Sequence, residues 1–502
     1  MGRLKPDLFQ LIKSLDKSEK RYFKRYTLLH SGGAKTSTNY TQLFDAIDEM
    51  NEYDEQVIKK KFEGTKFIKQ LFSTKKYLYE SILKSLRSYM SQAGDNMEIL
   101  SGIQSAEILI RKGHYEKALD YISAAKQLSR KTEFWGYYNE LIELERLIYN
   151  IERKENTVEL IAGLNDEKTN VANAIKNDLE YVKLTHKILP DVQKYGKVLI
   201  GNQSKQLMLL FESELLKDNY MPLTLFGKGI KSSTKTIYYG MTNQIDKNYI
   251  ETKASFNLLK ENPSFIQKNP VSYFTKFSNY GLTLANLKKY DELEELLNDS
   301  EEFSKLYQFK LNPKLSALQF EKIALLKSFY LIQTAQYEKE LSYIKSIAFE
   351  IENYRQHISR SSINTFYFTA AQTYIACGQY KPAIKNLNQI LIFNKSEIKQ
   401  SENMFAKYLL VISHYELGNI HMLKNINDMF LPDESIEALD YLCKELPLIK
   451  NSTMEKAILL KFKNLYNKSD QKKTIDQYFD FSMWAESKIQ NKPFAKITQP
   501  NS

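Results

Sequence analysis

A recurring pattern of small residues, glycine and tyrosine constrains the fold of this chain more than any other feature. The clearest copy lies at 366–393, which reads FYFTAAQTYIACGQYKPAIKNLNQILIF. Glycine at Gly378 favours the left-handed backbone that ends a helix, and Pro382 suits the first turn of the next one. A small residue stands seven positions before this glycine, and a tyrosine, an alanine and an aliphatic residue stand two, five and nine after it: Ala371, Tyr380, Ala383 and Leu387. This spacing predicts two helices that pack closely across a tight turn.

The same frame occurs elsewhere in the chain. It is strong around Gly113, and weaker copies centre on Tyr290, Tyr337 and Gly418. A helical pair of this kind cannot bury its apolar stripe alone, so successive pairs stack on one another. We therefore predict an all-α fold, a right-handed α-solenoid of stacked helical hairpins with long helices, preceded by an N-terminal helical bundle.

The turns GHYEKAL at 113–119 and GQYKPAI at 378–384 resemble those of the tetratricopeptide repeat family. Successive copies at 290, 337, 380 and 420 are 47, 43 and 40 residues apart, whereas that family repeats about every 34 residues. The resemblance covers about half of the chain. The segments EKRYFKRY, ISHYELGN and FDFSMWAESKI are also similar to a group of bacterial α-helical proteins, a resemblance that implies no activity.

Charge and periodicity divide the chain into four predicted parts. These are a basic N-terminal helical domain at 1–95, a helical-repeat solenoid at 96–440, C-terminal capping helices at 441–490 and a tail at 491–502. The first part holds 18 Lys and Arg against 12 Asp and Glu, so it carries +6 of the total net charge of +11. Such a concentration favours an acidic partner, either nucleic acid or an acidic protein surface.

The basic charge is densest on one predicted helix. Asp16 and Glu19 have the spacing of a capping box, which predicts a helix beginning at Lys17. Its apolar stripe runs through Tyr22 and Phe23, and five cations occupy the other side: Lys17, Lys20, Arg21, Lys24 and Arg25. Charges alone suffice to contact phosphate, but a platform for single strands also needs exposed aromatic rings. The pattern predicts that Tyr and Phe lie on the buried side. The sequence is compatible with two interpretations of this basic face, one in which it binds phosphate and one in which it is simply solvated.

Residue types that carry catalysis or bind metals show no matching spacing. The six histidines are scattered, and Cys377 and Cys443 are not part of a CxxC motif. The segment GKGIKSSTK at 227–235 lacks the complete phosphate-loop pattern, and we predict a surface loop there. The sequence thus predicts no catalytic residue, no cofactor and no metal site, and it does not favour an enzyme.

Two interpretations of function follow. The first is a non-enzymatic cytoplasmic scaffold or adaptor that binds a protein or peptide through exposed positions on first helices, with Asn279, Thr283 and Gln372 as examples. The alternative is a nucleic-acid-associated regulator that places the basic N-terminal domain on phosphate. Two cysteines in apolar helical contexts, no signal-peptide pattern and no long apolar run favour a cytoplasmic protein without membrane insertion. The oligomeric state is not predicted.

Overall fold

The computed structural model describes residues 4–30, 39–91, 94–195, 211–242, 244–306, 312–392, 400–427, 436–469, 472–476 and 478–498. Within these ranges the regular elements are helices and there is no β-strand, so the predicted all-α class is confirmed. The chain divides into two compact units, Met1–Pro270 (unit 1) and Val271–Ser502 (unit 2). None of the described helices is long and apolar enough to cross a lipid bilayer.

The α-helices of unit 1, in the part of it that is described, are α1 (Leu4–Ser14), α2 (Lys17–His30), α3 (Asn39–Glu49), α4 (Glu55–Lys61), α5 (Leu71–Tyr89), α6 (Asp95–Arg111), α7 (Tyr115–Thr132), α8 (Trp135–Glu152), α9 (Thr157–Tyr195), α10 (Leu225–Met241), α11 (Ile245–Lys260) and α12 (Pro263–Lys268). Among the first five helices, α5 packs on α1, α2 and α3, whereas from α6 to α9 the packing follows the order of the chain. Helix α6 packs on α7, α7 on α8 and α8 on α9, and α6 also contacts α8. Contact with both the next helix and the one after it is what stacked helical pairs require.

The described α-helices of unit 2 are α13 (Pro270–Asn286), α14 (Tyr290–Leu306), α15 (Pro313–Gln333), α16 (Tyr337–Asn353), α17 (Arg360–Ala376), α18 (Tyr380–Ile392), α19 (Gln400–Glu416), α20 (Ile420–Asn427), α21 (Glu437–Glu445), α22 (Ser452–Lys468), α23 (Lys472–Ile475), α24 (Phe481–Ile489) and α25 (Phe494–Thr498). Each helix from α14 to α20 packs on its successor, and α17 also contacts α15 and α19. Helix α17 is therefore covered from several sides.

Five helix ends that precede the copies of the frame share one turn geometry. A residue with positive φ ends each helix, and these residues are Gly113, Lys288, Ala335, Gly378 and Gly418. The next N–H then bonds back to a carbonyl five residues earlier; for Gln379 the acceptor is the Tyr374 oxygen at 2.7 Å. This is the Schellman arrangement, which satisfies carbonyls that a helix end leaves free. The left-handed backbone predicted at Gly378 is confirmed, with φ of 69°.

Small residues lie at the closest helix contacts, as the frame predicts. Ala106, Ala118, Ala371 and Ala383 are all fully buried. The side chain of Leu326 on α15 packs directly on the α13 backbone at Gly281, so an added Cβ atom there would displace it. Close approach increases the contact between the two helices, which strengthens dispersion and excludes water.

The N-terminal helices have a core of their own inside unit 1. The capping box is confirmed, because Asp16 Oδ1 accepts from the Glu19 N–H at 2.8 Å and Glu19 Oε2 accepts from the Asp16 N–H at 2.8 Å. Thirteen buried apolar residues make up this core: Leu8, Ile12, Leu15, Phe23, Leu43, Phe44, Ala46, Ile47, Ile58, Phe62, Leu71, Leu78 and Ile82. Helix α2 is thereby fixed with Phe23 inward.

The C-terminal helices of unit 2 share the core of the helices before them. Phe405 and Tyr408 of α19 pack against Phe481 of α24, with ring centroids 6.4 Å apart in both pairs. Trp484 is fully buried, and its Nε1 donates to Glu416 Oε1 at 2.9 Å. Burial of this much aromatic surface fixes α24 on α19.

Candidate functional site

The five predicted cations of α2 divide into two sets. Lys20 pairs with Asp48 at 2.6 Å and Lys24 pairs with Asp45 at 2.7 Å, both across to α3. Lys17, Arg21 and Arg25 are exposed, and within the described ranges none of these three has an ion-pair partner. Helix α2 therefore presents three uncompensated positive charges to solvent and has two neutralised against its neighbour.

Partly buried aromatic side chains lie next to the exposed cations of α2. Phe23 is fully buried as expected, but Tyr22 and Tyr26 are only half-buried. The rings of Tyr22 and Tyr89 lie 5.0 Å apart, and Tyr89 of α5 is 41% exposed. The tyrosines therefore lie toward α5, as the pattern predicts, but part of each ring remains accessible to solvent. Helix α5 covers the Phe23 side fully and the tyrosine side only in part.

The predicted contact positions of the repeat region fall in different environments. Asn279 is exposed on α13, as expected. Thr283 is 7% exposed and Gln372 is 8% exposed, so the exposed positions predicted for these two are wrong. Neighbours cover more than one side of each helix: α13 contacts Leu326 of α15 and also bonds to α14, where Tyr280 Oη donates to Glu292 at 3.0 Å.

Gln372 has a structural role in unit 2. Its Nε2 donates to the backbone carbonyl of Tyr478, in the segment that leads into α24. A buried amide that satisfies a partly buried carbonyl contributes to the order of that segment. It is therefore not accessible to a partner.

The segment 227–235 is helical instead of the predicted loop. Helix α10 begins at Leu225, and Thr224 Oγ1 accepts from the Gly227 N–H at 2.7 Å. Lys231, the central one of the three lysines in this segment, donates to the Lys217 and Tyr220 carbonyls at 2.6 and 2.7 Å. The capping threonine starts the helix, and the inward lysine leaves no cradle for a phosphate.

A cleft opens in unit 1 where α6, α8 and α9 meet. Its volume is about 700 Å³, and its walls come from Leu100, Ile103, Glu133, Phe134, Trp135, Gly136, Tyr137, Glu140 and Ile175. Six of these nine residues have aliphatic or aromatic side chains. Glu140 is exposed. The walls combine residues that lie more than 70 positions apart, so no local sequence pattern could indicate the cleft.

Glu133 links this cleft to the next helix. It ends α7 with φ of 53°, and its carboxylate accepts from the N–H groups of Leu225 and Phe226 at 2.6 and 3.0 Å. The anion thereby occupies the positive end of α10 and satisfies N–H groups that a helix start leaves free. Glu133 holds the cleft wall in place, and it leaves Glu140 as the acidic group available to a bound molecule.

An ion network braces the wall behind the cleft. Lys126 contacts Glu145 and Glu167, both at 2.7 Å. Burial disfavours the charged form of Lys126, but the hydrogen bonds to the two carboxylates outweigh it and raise the lysine pKa. Tyr138 donates to Glu167 at 3.0 Å. The partners satisfy one another, so this network holds α7, α8 and α9 together.

Of the cysteines and histidines with shifted pKa values, Cys443 is buried, whereas Cys377 and His414 are only partly buried. Burial raises the pKa of the Cys377 thiol to about 11 and raises that of Cys443 further, which keeps both thiols protonated near neutral pH. Burial lowers the pKa of His414. Among the described residues, no group of three or more His, Cys, Asp or Glu could hold a metal ion.

Comparison of the chain with protein-family models, with curated proteins and with solved structures gives no match. In the part of the chain that the structure describes, the protein is all-α, and most of its consecutive helices pack on one another.

Proposed function

We propose that this protein is a non-enzymatic cytoplasmic scaffold or adaptor that binds a protein or peptide through its helical-repeat surface. In this proposal its helical pairs form a right-handed solenoid similar to that of tetratricopeptide-repeat proteins. The recurrence of one turn geometry, and the packing of successive helices from α6 to α9 and from α14 to α21, support that architecture.

The cleft between α6, α8 and α9 carries the functional part of the proposal. Its apolar and aromatic walls suit the burial of a side chain, and they offer few groups for bond chemistry. Concave apolar sites with few polar groups are where peptide anchors and hot-spot residues bind. We expect the partner to insert an apolar or aromatic side chain and to carry a cation near it, opposite Glu140.

A peptide-library selection on the full chain tests this proposal. The enriched peptides should share an apolar or aromatic residue next to Lys or Arg. Ile175→Asp places a charge on a partly exposed wall residue, and it should weaken binding of a selected peptide by at least about tenfold. Val158→Asp on the same helix is the control, since Val158 is 79% exposed and does not line the cleft. Equal binding by both variants, or no enriched peptide, would refute the proposal.

The uncompensated cations of α2 favour a second candidate function. Lys17, Arg21 and Arg25 are exposed and face solvent together, and an acidic polymer is the partner that this charge would attract. In this second proposal the N-terminal helices contact nucleic-acid phosphates, and the repeat region recruits or senses a partner.

Salt dependence tests the second candidate. Binding of a labelled oligonucleotide should weaken as salt rises, with a slope of about −2 for three phosphate contacts to a single strand. A triple substitution of the three cations with Gln should abolish that slope, whereas Lys131→Gln on exposed α7 should leave it unchanged. Oligonucleotide binding that does not depend on the salt concentration would exclude this function.

A further inference from the structure

An aromatic cluster lies directly beside the free cations of α2. The rings of Tyr22 and Tyr26 are 6.5 Å apart and 28° from parallel, and Tyr22 also contacts Tyr89, with 5.0 Å between ring centroids. The hydroxyls of Tyr22 and Ser88 lie 3.0 Å apart, which fixes α2 against the end of α5. Because none of the three rings is fully buried, this corner of unit 1 presents aromatic surface to solvent.

Helical geometry places the arginines next to these rings. Arg25 follows Tyr22 by three residues, which puts the two side chains about 60° apart around the helix axis and one turn apart along it. Arg21 precedes Arg25 by four residues and lies on the same strip. Both arginines and Lys17 are exposed. The strip therefore consists of a row of guanidinium groups beside a row of tyrosines.

The acidic groups near α2 do not oppose this strip. Glu19, the one acid within the helix, is 5% exposed and is engaged in the capping box. Asp45 and Asp48 belong to α3 and are engaged by Lys24 and Lys20 on the other side of α2. The strip consequently keeps its positive charge and matches a polyanion.

We propose that the strip formed by Arg21, Tyr22, Arg25, Tyr26 and Tyr89 binds single-stranded nucleic acid. Bases stack on the tyrosine rings, and the arginines contact the phosphates between them. This inference rests on the second function proposed above and adds the class of ligand. A duplex hides its base faces within its own stack, so it can use the arginines but not the rings.

The test compares a labelled 12-nucleotide single strand with a duplex of equal length, each bound by the full chain in fluorescence anisotropy. Tyr89→Ala removes a ring that is 41% exposed, so it opens no core. It should weaken single-strand binding by about tenfold and leave duplex binding unchanged. Tyr89→Phe keeps the ring and should bind the single strand as the parent does. Tyr121→Ala is the control, because Tyr121 is 43% exposed on α7.

The arginines are tested separately. Arg21→Gln and Arg25→Gln should each weaken both ligands and reduce the single-strand salt slope by about 0.7. Arginine effects without a Tyr89→Ala effect would overturn the single-strand inference and leave the phosphate-binding function intact. Binding of both ligands without any salt dependence would refute both the single-strand inference and the phosphate-binding function. If poly-glutamate competed fully while Tyr89→Ala had no effect, an acidic protein would be the better partner, and the inference would be wrong.

Discussion

Glu340 offers the most direct test of how the interior of unit 2 is held together. It lies in the first turn of α16 and is fully buried. Within the described residues, neither carboxyl oxygen makes a hydrogen bond of ordinary geometry, and the Ser328 hydroxyl interacts with the carboxyl only weakly. Burial raises the pKa of Glu340 from 4.5 to about 8, and Ser328 and Lys327 on α15 offset this effect only in part. At neutral pH the folded protein therefore keeps this side chain protonated, whereas the unfolded chain ionises it.

The sign of the pH effect follows from proton counting. Between about pH 4.5 and pH 8 the folded state holds one more proton at Glu340 than the unfolded state does. The free energy of unfolding therefore falls as pH rises through this window, by about 1.4 kcal/mol per pH unit. At pH 7 the loss is about 3 kcal/mol, and it levels off near 5 kcal/mol above pH 8, where the folded state ionises too.

Replacing Glu340 with Gln removes the titration and keeps the shape. Glu340→Gln should raise the free energy of unfolding of unit 2 by about 3 kcal/mol at pH 7 and by less than about 1 kcal/mol at pH 5. Trp484 is 1% exposed in the core of unit 2, so its fluorescence reports the unfolding of that unit. Urea titrations at several pH values, in a Trp135→Phe background, give the difference between parent and variant.

Glu350→Gln serves as the matched control, because Glu350 lies exposed on the same helix. It should leave the pH profile of the parent unchanged. If Glu340→Gln were less stable than the parent at pH 7, or if it kept the same pH dependence, the carboxyl would not be the neutral buried group described here.

Two further predictions concern packing and capping. Glu133→Ala removes the carboxylate that caps α10 and should lower the stability of unit 1 by about 2–3 kcal/mol in urea denaturation, and Glu133→Gln should cost less; no change would mean that the cap is replaced by water. Gly281→Ala forces a Cβ against Leu326 and should cost about 1–3 kcal/mol. Gly163→Ala meets nothing within 4 Å on α9 and should raise stability by about 0.5–1 kcal/mol. Similar effects at both glycines would refute the close approach of α13 and α15.

The repeated frame could be read from the sequence because its cause is local. A left-handed residue, a following turn and small residues at fixed offsets act within one helical pair, and Gly378, Ala371 and Ala383 all take the predicted conformation or burial. The capping box at Asp16 and Glu19 was predictable for the same reason. Lys288 and Ala335 occupy the left-handed position without being glycine, so at these turns the tyrosine two residues later was the usable signal.

Exposure, in contrast, depends on neighbours that are distant in sequence. The sequence by itself determined that the chain is helical and where several of its helices pair. Only the tertiary structure decided that Thr283 and Gln372 are buried, that Tyr22 is partly exposed beside Arg25, and that α6, α8 and α9 meet around an open cleft. The physical reason is that the apolar stripe of a helix determines which of its faces packs against the partner helix of the same pair. Whether its other faces are buried depends on helices from elsewhere in the chain, which a local pattern does not specify.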